Sequence, residues 1–244
     1  TGSTILTNIE ALPKGLLFWR SSTHFIGGVG VVIFMLLVLP SVSTFRMRLS
    51  KMEISALSKE NYKFKTKQTI SIIAYVYLGI ATLTFIFLML AGMDWFDAIN
   101  HAFSVAATGG FSTKNESILA FDSLWIEIVI TVFMFFASVH FGLLFSSVVN
   151  RSLKFFKSPV IRFYLCSLLI TGVIIAFDIK ISGNVDNIFT AFRQSIFQVV
   201  SIASTTGFAT ADTAVWPNLS ILILMYLSIQ CACSGSTTGG LKID

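Results

Sequence analysis

Two short runs hold the residue types that could do chemistry: Ala107-Thr108-Gly109-Gly110-Phe111-Ser112-Thr113 and Ala203-Ser204-Thr205-Thr206-Gly207-Phe208-Ala209-Thr210. Setting Gly110 on Gly207, an offset of 97 residues, aligns Thr-x-Gly-Phe-x-Thr in both and drops Ser104 onto Ser201. Glycine reaches backbone conformations closed to other residues, so neighbouring carbonyls can be turned the same way. A ring of such carbonyls replaces the hydration shell of a cation. One run of this kind is ordinary turn chemistry; two in matching positions argue for a cation pathway. Thr1-Gly2-Ser3-Thr4 looks like the tail of a third copy. The phenylalanine after each glycine is expected to pack behind its turn, with no ion contact.

Each run needs an element to aim it. Each follows a short, moderately apolar stretch of helical character, Trp95–Ala106 in the first case and Ile188–Ile202 in the second. A helix that ends at such a turn points its partially negative C-terminus at the cation. Around these lie longer apolar runs near 16–39, 69–92, 124–149, 160–177 and 216–233, each approaching the roughly 20 residues that cross a bilayer. The 244-residue chain is 55% apolar and 12% charged, about half the charge of a soluble domain, and holds 24 phenylalanines. An all-α polytopic membrane protein is expected, built from repeated span, short helix, Thr/Gly turn and span.

The net charge of +5 does not require nucleic acid. Seven basic residues crowd 41–67 against Glu53 and Glu60, and 150–162 holds four basic residues and no acid. The segments 93–123 and 178–214 are acidic on balance. This alternation places 41–67 and 150–162 on the cytoplasmic side by the positive-inside rule. The basic 41–67 segment could meet anionic lipid or a cytosolic partner.

A third run, Ser234-Gly235-Ser236-Thr237-Thr238-Gly239-Gly240, interrupts the last span. The 17 residues from Pro217 to Cys233 rise about 26 Å and start below the outer surface, so the break is expected inside the membrane, facing water. Lys242 follows; it either faces the pathway, where it would repel cations, or snorkels to the inner interface. His24, His101 and His140 fall on separate elements without ligand spacing, and helix packing is their expected role. Asp97 and Arg193 either tune the field at the mouth or pair structurally. Asp212 either draws cations or starts a helix. Arg20 is expected to snorkel outward, and Gly27, Gly28 and Gly30 to permit close helix contact. Cys166, Cys231 and Cys233 suggest neither a disulfide framework nor a metal site. No nucleophile–base or metal constellation points to an enzyme. A secondary transporter of another monovalent cation such as sodium, or of a small solute, would want polar groups in mid-span, and 69–92, like 160–177 beyond Arg162, offers no charge.

Thr1–Arg20, Thr23-His24-Phe25-Ile26-Gly27-Gly28-Val29-Gly30, the two Thr/Gly runs and Cys233-Ser234-Gly235-Ser236-Thr237-Thr238-Gly239-Gly240-Leu241-Lys242 together closely resemble the TrkH family, the membrane subunits of bacterial Trk potassium uptake systems in the Trk/Ktr/HKT superfamily. The resemblance implies four non-identical units of outer helix, pore helix, filter and inner helix around a central pore. It divides this chain into the end of a first unit (1–40), a basic loop (41–68), a second unit (69–149), a loop (150–159) and a third unit (160–244), as an internal fragment of something longer. Potassium-binding filters would be formed by Thr1 and Gly2, by Thr108, Gly109 and Gly110, and by Thr205, Thr206 and Gly207. Ser234, Gly235, Ser236, Thr237, Thr238, Gly239 and Gly240, with Lys242, would form an intramembrane gate. Where the family has Cys-Ala-Gly-Ser-Thr-Gly-Gly-Gly, this chain has Cys-Ser-Gly-Ser-Thr-Thr-Gly-Gly. The resemblance further implies K+ as the transported ion, no organic cofactor, surrounding membrane lipid in the bacterial cytoplasmic (inner) membrane, a homodimer and a cytosolic nucleotide-binding subunit of TrkA type.

Overall fold

The computed structural model describes residues 4, 6–38, 66–150, 155, 158–230, 232–233 and 235–242. Thr1, Gly2, Ser234, Cys231 and nearly all of the basic segment 41–67 therefore lie outside the described residues. Eight α-helices follow in chain order among those described: α1 (Lys14–Val38), α2 (Thr66–Leu90), α3 (Trp95–Ala106), α4 (Leu124–Ala137), α5 (Phe141–Val149), α6 (Pro159–Ile181), α7 (Ile188–Ala203) and α8 (Asn218–Ile229). Two 3-10 turns, Ser117–Phe121 and Thr213–Val215, complete the architecture. The fold is all-α.

The stretch Ser71–Leu90 of α2 and the whole of α6 are long and apolar enough to cross a membrane. α6 starts with proline in its first turn, where the missing N–H costs nothing, and runs past the expected end at Phe177 to Ile181. Asp178 is accommodated there because its Oδ2 accepts from Ser220 N at 3.1 Å and Ser220 Oγ at 2.6 Å, at the start of α8. α8 has only 12 residues, about 18 Å of rise, and gives way at Gln230, three residues before the expected end at Cys233.

The apolar run 124–149 is not one continuous helix. It is two helices, α4 and α5, bent by 101° at a break over Ser138–His140. Ser138 Oγ donates to Phe135 O at 2.6 Å, and His140 Nδ1 accepts from Gly142 N at 3.0 Å to cap α5. Polar side chains that bond their own backbone thus break a run whose hydropathy is continuous.

The repeat inferred from sequence is visible in the packing: α2 lies on α3 as α6 lies on α7. Both short helices are capped at their N-termini, Asp94 accepting from Phe96 N and Asn187 from Phe189 N. Ser195 Oγ ties α7 to Gly172 O of α6 at 2.9 Å, and Tyr77 Oη ties α2 to Phe25 O of α1 at 2.7 Å. A Cβ at Gly28 would lie 2.8 Å from Tyr77 Oη and 3.0 Å from Ala107 Cα, the close contact expected of it. Gly27 and Gly30 have open space around the same position, so the expectation holds for Gly28 alone.

The two units are joined by an ion pair. Arg193 on α7 sets Nε 2.9 Å from Glu127 Oε2 and donates Nη2 to Oε1 at 3.1 Å. Glu127 is buried on α4, so Arg193 pairs structurally. Removing one partner leaves a buried charge uncompensated at about 3 kcal/mol, whereas removing both does not. Arg193→Met in the full-length protein should therefore lower the melting temperature in detergent more than the double change Glu127→Leu with Arg193→Met. A double variant no more stable than the single one would show that the orphaned Glu127 carries no such penalty.

Candidate functional site

Both short helices end in the same hydrogen-bonded motif, at the offset of 97 residues read from the sequence. In the first, Thr108 N donates to Val105 O at 3.0 Å and Gly109 N to Ser104 O at 2.8 Å. In the second, Thr205 N donates to Ile202 O and Thr206 N to Ser201 O, each at 2.9 Å. This is a Schellman ending, whose left-handed position usually takes glycine. Here it takes threonine: φ is +49° at Thr108 and +55° at Thr205. A left-handed threonine costs on the order of 1–2 kcal/mol. Glycine comes two residues later, Gly110 at φ +76° and Gly207 at +85°.

The two glycines differ in surroundings. A Cβ on Gly110 would lie 2.0 Å from Thr206 O, so the first turn passes directly against the backbone of the second. At Gly207 the same position is open. Phe111 and Phe208 are buried behind their turns, as expected. The ring of Phe111 is held by α1: His24 stacks on it at 3.6 Å and Arg20 lies 3.7 Å from its centroid. Arg20 also donates Nη1 to Ser112 O at 3.1 Å. It turns inward to the first Thr/Gly run rather than snorkelling outward, because a carbonyl and an aromatic face are both within its reach.

The strained threonines face a third piece of irregular backbone, the run after α8. Thr108 Oγ1 donates to Thr237 O at 3.2 Å, and Thr205 Oγ1 accepts from Gly239 N at 3.0 Å. Thr237 Oγ1 returns a bond to Ala106 O at 3.0 Å, satisfying a carbonyl at the end of α3. On its other side this segment fills the bend between α4 and α5. Cys233 N donates to Ser138 O at 3.2 Å and Phe141 N to Gly235 O at 3.1 Å. A Cβ at Gly235 would meet His140 at 2.8 Å. The segment closes where Leu241 N reaches Ile229 O at 3.2 Å. Lys242 Nζ reaches back to the carbonyl and hydroxyl of Thr238, so its charge sits on the segment itself. A cavity of about 330 Å³ opens between the two turns, this segment and α1, lined by Thr108, Gly109, Thr205, Thr237 and Gly239 with Thr23 and Gly27 among the α1 residues.

Of the residues singled out by sequence, the structure brings Thr108, Gly109, Thr205, Thr237 and Gly239 to one cavity, and it sets Gly110 against Thr206 and Gly207 where the two turns touch. Gly235 packs on His140 and Lys242 on Thr238 in the same segment, away from the cavity lining. Asp97 and Asp212 take structural parts: Asp97 Oδ1 accepts from Thr113 Oγ1 at 2.7 Å, and Asp212 caps the turn at Thr213 by accepting from Ala214 N at 2.9 Å. One contributor was not singled out by sequence, Ser138 at the bend. Two take parts other than those expected of them: Arg20 as an inward donor, and His101, expected only to pack, which is buried against Ser112. The offset of 97 carried a signal for the last, since it sets His101 on Gln198, whose Nε2 donates to Ala211 O at 3.1 Å beside the second turn.

The profile of TrkH, described as a cation transport protein, matches residues 1–244. The chain belongs to the TrkH family. It is 35% identical over its full length to the Trk system potassium uptake protein TrkH of Halomonas elongata and 34% identical to that of Salmonella typhimurium, covering 51% of each. The crystal structure of the potassium transporter TrkH from Vibrio parahaemolyticus superposes with a TM-score of 0.84 at 30% identity, covering 99% of this chain and 49% of that one. The chain spans about half the length of the TrkH relatives it matches. TrkH proteins are transport proteins of membranes, so the chain is an integral membrane protein of a transport family, not an enzyme family.

The unequal surroundings of the two glycines set an order of tolerance. Gly207→Ala adds only the left-handed strain of about 1–2 kcal/mol, whereas Gly110→Ala also drives a methyl into the Thr206 carbonyl. In the full-length protein, Gly110→Ala should lower the melting temperature in detergent clearly more than Gly207→Ala. Equal losses would mean that the two turns are not in contact.

Proposed function

We propose that this chain supplies part of a potassium-conducting pathway of a bacterial Trk uptake system in the cytoplasmic membrane. The observation that carries the reading is the pair of matched helix–Thr/Gly turns that meet above a glycine-rich segment. Thr108–Gly110 and Thr205–Gly207 are two filter quadrants, with backbone carbonyls as the ion's ligands and the C-termini of α3 and α7 adding negative potential. Thr1 and Gly2 belong to a further quadrant. Residues 1–40 close a first unit, 41–68 and 150–159 are cytoplasmic loops, and 69–149 and 160–244 are the second and third units around one pore. The names of the relatives support potassium as cargo; a homodimeric assembly and a cytosolic TrkA-type regulator are what the family resemblance implies.

The segment Ser234–Gly240 is the gate. Its residues 235–240 lie against both Thr/Gly turns and bond to them through threonine hydroxyls, not through a regular helix, so the segment can be withdrawn at modest cost. Lys242, held on Thr238, adds a positive charge to the closed arrangement. A cytosolic partner can move the segment by pulling on the chain beyond it.

The test is ion flux into proteoliposomes bearing the full-length protein. Potassium uptake should exceed sodium uptake, and Gly207→Ser should reduce that ratio without blocking insertion. Equal potassium and sodium rates in the unaltered protein would favour the alternative, a transporter of sodium or another monovalent cation. Deleting Gly235–Gly239 should raise potassium flux and weaken its dependence on the cytosolic partner. Normal, partner-dependent flux in a folded deletion variant would reduce the segment to a passive kink.

A further inference from the structure

The two Thr/Gly turns are alike in backbone yet fastened differently to the helices behind them. Behind the second, Ser201 Oγ donates to Phe208 O at 2.7 Å and Gln198 Nε2 to Ala211 O at 3.1 Å. Both bonds hold main-chain atoms, and the buried hydroxyl of Thr210 has no partner. Behind the first the pattern is inverted. The buried hydroxyl of Ser104, which matches Ser201, has no partner, while Ser112 and Thr113 are gripped by their side chains.

The centre of that grip is His101, which has no exposed surface. Its Nδ1 lies 2.7 Å from Asp97 O, a group that only accepts, so Nδ1 carries the proton. The neutral ring then offers Nε2 as acceptor to Ser112 Oγ at 3.0 Å. Ser112 Oγ in turn accepts from Lys114 N at 3.0 Å. The chain of donors runs one way, from Lys114 N through Ser112 to His101 and on to Asp97 O, with every member satisfied. Asp97 extends the grip by taking the hydroxyl of Thr113 at 2.7 Å, and Arg20 holds Ser112 O from the far side at 3.1 Å. The two residues that follow Gly110 and Phe111 are thereby fixed by four side-chain bonds.

We propose that His101 is a positioning residue for ion selectivity: through Ser112 it fixes the outgoing strand of the first Thr/Gly turn and so holds the carbonyls of Thr108–Gly110 at the spacing that suits the larger, potassium-sized ion. The inference rests on the reading of these turns as filters. It assigns selectivity to a group that touches no ion, and it makes the second unit's quadrant stiffer on its outer side than the third's. The repeat also supplies the conservative variant, since the residue matched to His101 is Gln198. Glutamine can reach Ser112 with its amide and keep the strand in place.

The test measures initial potassium and sodium fluxes into proteoliposomes bearing the full-length protein. His101→Ala should lower the potassium-to-sodium ratio about five- to tenfold, the effect of losing one or two neutral hydrogen bonds, chiefly by raising sodium flux. His101→Gln should keep the ratio within about twofold of the unaltered protein. Ser112→Ala should reproduce the alanine effect, and the double variant should be no worse than either single one, as members of one network behave. A merely structural histidine would instead lower both fluxes together and leave their ratio in place, which overturns the proposal, as would additive losses in the double variant. If His101→Ala yields no folded protein, Ser112→Ala alone decides: an unchanged ratio overturns the proposal and a fallen ratio supports it. Loss of selectivity in the unaltered protein would instead overturn the filter reading, and this inference with it.

Discussion

Inside a bilayer there is no water to take up an amide or carbonyl that leaves a helix, so irregular backbone survives only where protein or a hydrated cavity satisfies it. The fold answers that constraint by collecting its interruptions in one place. The ends of α3 and α7, the bend between α4 and α5, and the broken end of α8 all converge on residues 233 and 235–241. Ser138 O and Phe141 N, released by the bend, find Cys233 N and Gly235 O. Ala106 O, released at the end of α3, finds the hydroxyl of Thr237. Each break satisfies another, and the space left among them is the cavity.

The left-handed threonines fit the same logic. Glycine would relax the backbone at 108 and 205, but it could not reach the segment below. Threonine accepts the strain and uses its hydroxyl to bond Thr237 O in one unit and Gly239 N in the other. Local strain at two residues is thereby exchanged for a connection between elements far apart in the chain. On the proposed reading that connection links filter and gate, so that movement of the gate is felt at the turns.

Duplication accounts for the backbone likeness of the two units, and divergence for their different side-chain fastenings. His101 and Gln198 occupy matched positions, yet one binds a side chain and the other a carbonyl. The Glu127–Arg193 pair and the bonds of Ile118 and Leu119 N to Ala209 O then lock unlike units against each other. A ring assembled from such units need not present equal ligands to an ion.

The sequence alone determined the membrane class, the two matched Thr/Gly turns and the interruption after Cys233, and its motifs resembled the right family. These are short-range properties: apolar run length, the conformational freedom of glycine and a repeated offset are written in neighbouring residues. The bend at Ser138–His140 was hidden because the apolar side chains on either side of it are continuous, and hydropathy does not register a hydroxyl or imidazole turned onto its own backbone. The inward course of Arg20, the pairing of Arg193 with Glu127 and the grip of His101 on Ser112 were equally hidden, for a charged or polar residue at a helix end has several available partners. Only the tertiary structure chose among them, by bringing Thr237 to Ala106 across 131 residues and Arg20 to Ser112 across 92. In a medium without water, whichever partner packing brings within reach is the one that must be taken.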